Sequence, residues 1–376
     1  MKDDQWYLLK SAQDVISPAL LFYSERIRYN INEMIRIAGS AERLWPHIKT
    51  HKCANLIGLQ LKSGIDKFKC STLAEAALLG SCGVREAVLA MQPSSAHLDK
   101  LIKLGKVYPG TRFSTLVDNQ DSLEMMRERA KAASQKVHLW LDVNNGMNRT
   151  GIVPGPEAVD LSEAICSDPW LVFMGLHVYD GHIRDTDPLI RAEKCHRDMQ
   201  PVHAMADQIA EKGLKINTII AGGSPSFTIH AKSKEFDLSP GTTVLWDAGY
   251  YKKFTEMPFK PAAALLTRVI SKPAPGVVCT DLGHKSVASE MPFPRIEFLN
   301  LEACEQVSQS EEHLVLNCTE YERCDVGETI YALPMHICPT VSKHPRAHVV
   351  EDNEITGTWS ITAIDHDVEL KPEPNA

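Results

Sequence analysis

The chain has 376 residues, 44% of them hydrophobic and 23% charged, and a net charge of −8. That length fits one large domain plus a smaller one, and the composition is that of an ordinary globular protein. The negative balance argues against nucleic acid as a partner, since phosphate binding needs a basic face, and no apolar run reaches membrane-spanning length. The start, MKDDQWYLLK, does not read as a signal peptide. Ten cysteines without a C-x-x-C pair predict reduced thiols in a cytoplasmic protein rather than a disulfide frame.

Residues 1–17 read as a lead-in segment that packs with the C-terminal domain. Leu20, Leu21, Phe22 and Tyr23 make a short apolar strand, and Ser24 caps a helix carrying Ile27, Ile31, Met34 and Ile35 at helical spacing. Strand and helix patterns then alternate. Strands begin near Leu44, Lys67, Glu86, Arg112, Val137, Leu171, Ile216 and Leu238; helices cover 73–82, 95–105, 120–133, 156–166 and 188–212. Eight such strands predict an α/β (β/α)8 TIM barrel over residues 18–255, with a doubly wound open sheet as the runner-up. From about residue 256 no βα unit follows. Runs at 265–270, 277–280, 297–301, 314–316, 329–333 and 360–363 predict a mostly β domain over 256–376, ending in a frayed tail at 371–376.

The stretch Trp45-Pro46-His47-Ile48-Lys49-Thr50-His51-Lys52 is the most informative. Two histidines and two lysines are costly beside Ile48 where a buried strand ends. Strand alternation would aim His47, Lys49 and His51 into one space, with Lys52 of opposite parity starting the next helix. A lysine among other potential cations and partly out of water is a usable amine nucleophile for a Schiff base. A solvated strand end with extended lysines is the bland alternative.

Barrel enzymes work through the loops after their strands. The fifth loop reads Asn145-Gly146-Met147-Asn148-Arg149-Thr150-Gly151, where Arg149 suits an anionic oxygen; a turn arginine facing water is the alternative. The sixth carries His177, Tyr179, Asp180 and His182, some of which only cap the barrel. The seventh, Ala221-Gly222-Gly223-Ser224-Pro225-Ser226, and the eighth, Ser239-Pro240-Gly241-Thr242, combine glycines and hydroxyls at the place where barrels commonly hold phosphate. In the β domain His336 and Cys338 stand two apart, hence on one face of a strand. Imidazole and thiolate together suit zinc, with open positions for water or substrate. The alternative is a core cysteine beside a strand-end histidine, which the residue types by themselves favour.

Taken together, these motifs resemble the pyridoxal-phosphate enzymes of the alanine racemase fold (fold type III), and within them the D-threonine aldolase and D-serine dehydratase branch. The matching pieces run nearly end to end: Pro46 to Lys52, Ser71-Thr72-Leu73-Ala74-Glu75-Ala76, Gly146 to Gly151, Ala221 to Pro225, Pro240-Gly241-Thr242, and Pro334-Met335-His336-Ile337-Cys338-Pro339-Thr340. The resemblance implies that Lys49 carries pyridoxal 5'-phosphate covalently, with His47 beside it, and that Arg149 lies near the cofactor's phenolic oxygen. It places Gly222, Gly223, Ser224, Gly241 and Thr242 around the phosphate, and His177 and Tyr179 against the ring. It gives His336 and Cys338 a divalent metal, zinc in the family's His-x-Cys version. It further implies a cytoplasmic homodimer and a lyase acting on D-3-hydroxy amino acids, by dehydration or aldol cleavage. The alternatives are an amino-acid racemase or a non-catalytic pyridoxal-phosphate protein. Three departures stand out: Trp45 where the branch has arginine, Ser239 where racemases have an arginine facing the pyridine nitrogen, and Cys279-Thr280-Asp281-Leu282-Gly283-His284-Lys285 without the racemases' second-base tyrosine.

Overall fold

A computed structural model describes residues 5–369; the expected frayed tail at 371–376 lies outside them. The chain divides into two compact units, one of residues 34–49, 57–241 and 363–376, the other of residues 1–33, 50–56 and 242–362.

The first unit is built on a seven-stranded parallel sheet. Its strands follow chain order: Lys67–Cys70, Glu86–Leu89, Arg112–Val117, Val137–Val143, Leu171–Val178, Ile219–Ala221 and Phe236–Leu238. The segment 44–47 closes the ring between its first and last strands. Leu44 bridges to Leu238 and His47 to Lys69, and the amides of Trp45 and His47 donate to the carbonyls of Leu238 and Pro240 at 2.8 and 3.0 Å. Pro46 has no N–H to give, so this eighth position is a pair of bridges rather than a full strand. Its carbonyl still accepts from Lys69 N–H at 3.0 Å.

Between the strands run helices Leu73–Ser81, Ser95–Val107, Gln120–Ala133, Pro156–Ser167 and Pro188–Glu211. Their starts follow from local chemistry. Thr72, Ser94, Asn119 and Asp187 each accept from an amide of the first turn, which satisfies donors that a helix leaves unpaired. Glu75 adds a reciprocal bond by accepting from Ser71 N–H at 2.6 Å. Inside the barrel Trp45, Val88, Leu116, Trp140 and Ile220 form one buried cluster. Trp45, 2% exposed, packs edge-on against Trp140 and donates its indole N–H to Asp237 at 2.7 Å. The departure at position 45 is therefore a barrel-core residue.

The second unit carries a mixed sheet in the order Cys304–Gln309, Leu314–Cys318, Val277–Thr280, Ala263–Ala274, Ala19–Tyr23, Arg346–Glu351, Glu354–Ser360, with Thr329–Pro334 also paired to Ala263–Ala274 and Ile296–Phe298 to Thr329–Pro334. Ala19–Tyr23 pairs antiparallel with Ala263–Ala274 and parallel with Arg346–Glu351, and every residue in it is buried. The early apolar strand thus belongs to this sheet, where both its edges find partners for backbone N–H and C=O groups that are buried. The expected strand at 360–363 is instead the end of Glu354–Ser360. Cys304 and Cys318 are register partners and form a disulfide, which corrects the expectation of reduced thiols throughout; the other eight cysteines lie outside any disulfide.

Candidate active site

Lys49 does not lie on a strand. Residues Ile48–Thr50 form a single 3-10 turn, so strand alternation of His47, Lys49 and His51 fails. Pairing ends at His47, which bridges to Lys69, and the chain turns directly after it. The Lys49 amide donates to His47 Nδ1 at 3.3 Å. His51 is buried and accepts from the Cys53 amide; burial and then the Lys52 charge push its imidazole down to about 3, so it is neutral. Lys52 adopts φ +50°, and the next helix, Ala54–Lys62, begins only after it.

Within the barrel unit a buried hydrogen-bonded chain reaches the strand ends. Asp142, at the end of Val137–Val143, holds His177 Nδ1 at 2.7 Å, and His177 Nε2 lies 2.7 Å from Lys69 Nζ. Burial, then the Lys69 charge, lower His177 from its ordinary value; the imidazole is neutral and accepts from Lys69. Lys69 also donates to Ser239 Oγ at 3.2 Å, and Ser239 donates to the Gly222 carbonyl at 2.6 Å. Burial and the neighbouring Lys49 charge bring Lys69 down to about 7, against the pull of Asp142 and Asp180. Tyr179 stands beside two cations, its ring centre 5.0 Å from the Arg149 guanidinium and 5.7 Å from Lys69 Nζ. Arg149 itself is exposed.

The glycine loop after Ile219–Ala221 is fixed from below. Asp180 accepts from Ser226 Oγ and His230 Nε2, both at 2.6 Å, and Ser226 Oγ accepts from Gly223 N–H at 3.1 Å. Gly222 has φ +75°, and a Cβ there would lie 2.8 Å from both His230 and Ser226; one on Gly223 would lie 2.9 Å from the Tyr179 ring. Only glycine fits this cradle. The N–H groups of Gly222, Gly223 and Gly241 are engaged by the Val178 carbonyl, Ser226 Oγ and Ser224 Oγ. The glycines therefore contribute shape, and the hydroxyls of the two loops already knit them together.

In the other unit His336 follows the strand Thr329–Pro334 and Cys338 lies inside the short helix Ile337–Val341. The pair is brought together by a helical turn rather than by a strand face. His336 and Cys338 are hydrogen-bonded; burial opposes the imidazolium, but Cys338, Glu290 and Asp247 outweigh it and lift His336 to about 9. Glu290 Oε1 lies 2.5 Å from His336 Nδ1, and Cys338 Sγ is 3.1 Å from Thr50 Oγ1 and 3.7 Å from Thr242 Oγ1. Thr242 thus has its hydroxyl near sulfur. Buried Asp247 accepts from the amides of Ile337 and Tyr250 and fixes the turn.

The sequence reading missed Lys69, Asp142, Glu290 and Asp247. A signal existed for two of them: Lys67-Phe68-Lys69-Cys70 alternates cations in a barrel strand, and Asp142 interrupts Leu139-Trp140-Leu141.

Sequence comparison bears on the same residues. The family model described as the alanine racemase N-terminal domain matches residues 23–245, and a putative serine dehydratase domain matches residues 262–350. The chain belongs to the alanine racemase N-terminal domain family. It is 27% identical to a D-threonine aldolase from Arthrobacter sp. over 85% of each chain. Its fold is similar to that of D-threonine aldolase from Filomicrobium marinum, with TM-score 0.84, 26% identity, and 94% of this chain and 96% of that one covered. It is also similar in fold to D-threo-3-hydroxyaspartate dehydratase from Delftia sp. HT23, with TM-score 0.79, 19% identity, and 93% and 98% covered.

Proposed function

We propose that the chain is a pyridoxal-phosphate- and divalent-metal-dependent lyase acting on D-3-hydroxy amino acids. One observation carries the reading. Arg149, His177, Tyr179 and the Gly222–Gly223 cradle gather at the C-terminal ends of parallel barrel strands, in the same unit as Lys49. The residues fit the group: the cradle accepts only a backbone without Cβ, and Asn145 Oδ1 in the fifth loop is buried with no hydrogen-bond partner among the described residues. His336 and Cys338 offer a nitrogen and a sulfur, the donors zinc favours, so zinc is the proposed metal. The homodimer belongs to the same reading and rests on the resemblance; the cytoplasmic setting rests on ten scattered cysteines without a C-x-x-C pair.

When bound, pyridoxal phosphate supplies an electron sink and the metal a Lewis acid. The protein's share is placement and proton movement. Lys49 would link the cofactor; for dehydration its released amine would take the proton from the substrate's Cα, whereas aldol cleavage leaves that proton in place and needs a base for the 3-hydroxyl instead. Arg149 would balance the phenolic oxygen, Tyr179 and His177 would pack against the ring, and Gly222, Gly223, Ser224 and Gly241 would hold the phosphate; Thr242, in the other unit, is the remaining phosphate candidate from the resemblance. His336 and Cys338 would hold the ion, which would activate the substrate's 3-hydroxyl as a Lewis acid. Loss of the Cα proton and the Cβ hydroxide, together as water, would leave an enamine whose imine tautomer takes up water to give a 2-oxo acid and ammonia; removal of the hydroxyl proton with cleavage of Cα–Cβ would give an aldehyde and, once Cα is reprotonated, glycine. The His-x-Cys pair favours dehydration.

The test is product identification from the holoenzyme with a panel of D-amino acids. The 2-oxo acid or the aldehyde from 3-hydroxy substrates supports the lyase, whereas the L-enantiomer as product, or no turnover, overturns it.

A further inference from the structure

The barrel strand Lys67–Cys70 buries two lysines, and only one has a carboxylate. Lys67 Nζ lies 2.7 Å from Asp237 Oδ2, the ordinary arrangement for a structural lysine in a core. Lys69, 3% exposed, has no carboxylate within hydrogen-bond distance among the described residues. Its neighbours fix how it donates. Asp142 takes the Nδ1 hydrogen of His177, leaving a lone pair on Nε2; Ser239 gives its hydrogen to Gly222, leaving lone pairs on Oγ. Both therefore accept from Lys69. An ammonium carries three N–H bonds, and none of the described residues accepts the third.

This spare donor lies in the cofactor half-site. It is beside Ser239, 5.7 Å from the Tyr179 ring, and within electrostatic reach of Lys49, Arg149, Asp142 and Asp180. Pyridoxal phosphate has four polar groups. The reading above assigns the aldehyde carbon to Lys49, the phenolic oxygen to Arg149 and the phosphate to the glycine loops. The ring nitrogen is left without a donor, and the one hydrogen of Ser239 is committed to Gly222.

We propose that Lys69 contacts the ring nitrogen of the bound cofactor, donating its third N–H to the nitrogen's lone pair, with His177 and Asp142 orienting it. The inference rests on cofactor attachment at Lys49. A ring nitrogen that accepts from an amine is a weaker electron sink than one bearing a full proton. The elimination step then leans more heavily on activation of the leaving hydroxyl.

The test is the nitrogen NMR resonance of holoprotein reconstituted with pyridoxal phosphate labelled in the ring with ¹⁵N. In the wild type the resonance should sit at the position of a ring nitrogen that accepts a hydrogen bond. Lys69→Met should move it to that of a nitrogen without a donor, and weaken cofactor binding by roughly 10–100-fold, as expected for a hydrogen bond to a charged donor. Lys69→Arg, a permanent cation with N–H groups to give, should restore the wild-type position. A wild-type resonance matching free cofactor at every pH overturns the proposal, and it does so even if Lys69→Met fails to fold. So does a folded Lys69→Met protein with unchanged resonance and affinity. Borohydride trapping on the same samples separates the two claims: absence of cofactor from Lys49 overturns the attachment itself, whatever the ring nitrogen shows.

Discussion

His336 Nδ1 lies 2.5 Å from Oε1 of Glu290, a carboxylate that no motif in the sequence singles out. Holding Nδ1 fixes the orientation of the ring and leaves Nε2 as the nitrogen able to bind a cation. Glu290→Gln should weaken zinc affinity by about 10–100-fold, the usual cost of losing such a partner, measured by competition with a chelator. Cys338→Ala should remove binding. Chelation should abolish turnover of a D-3-hydroxy amino acid while leaving the cofactor's visible absorbance unchanged. Full activity after chelation contradicts the metal's role.

Gly222→Ala tests the cradle. At φ +75°, with His230 and Ser226 each 2.8 Å from the new Cβ, the substitution forces the loop to move. Left-handed backbone alone costs about 1–2 kcal/mol for a residue with a side chain. Affinity for pyridoxal phosphate should fall at least tenfold, whereas affinity for pyridoxal, which lacks the phosphate, should change little. Equal losses for both would show that this loop does not hold phosphate.

Trp45→Ala tests whether position 45 serves the core. Its side chain is 2% exposed against Trp140, and truncating a buried tryptophan costs about 3–5 kcal/mol. Chemical denaturation should show a loss of that order. A loss under about 1 kcal/mol would place Trp45 outside the core packing.

The pH dependence of the cofactor-free protein reports on Lys69. Burial and the Lys49 charge lower it from 10.5 to about 7. Between those values the unfolded chain binds the proton and the native state does not, so stability rises with pH across that window. Unfolding at about pH 8.5 should take up roughly one proton through this group, and Lys69→Met should remove that uptake. Calorimetry in buffers of different ionisation enthalpy measures it; the same uptake in both proteins contradicts the shift.

The barrel was legible because its signals are local. Helix starts at Thr72, Ser94, Asn119 and Asp187 are set by side chains one turn away, and the expected helices match those observed to within two residues at most ends. The sheet membership of Ala19–Tyr23 was not legible, since its partners lie more than 200 residues on. The pairing of Cys304 with Cys318 depends on strand register, which spacing alone does not give. The local geometry of the proposed site was misread: Lys49 and Cys338 lie on helical turns where strand alternation was assumed. Lys69 escaped notice because a lysine in a strand usually points to water, and only barrel closure turns it inward.

The central claim is that Lys49 bears the cofactor, with Lys52 and Lys69 as the competing amines. Borohydride reduction of the protein incubated with pyridoxal phosphate, followed by peptide mapping, tests it directly. The account predicts a pyridoxyl group on Lys49 alone, and its loss in Lys49→Ala. Label on Lys69 or Lys52 in the wild type, or no label on any of the three, contradicts it.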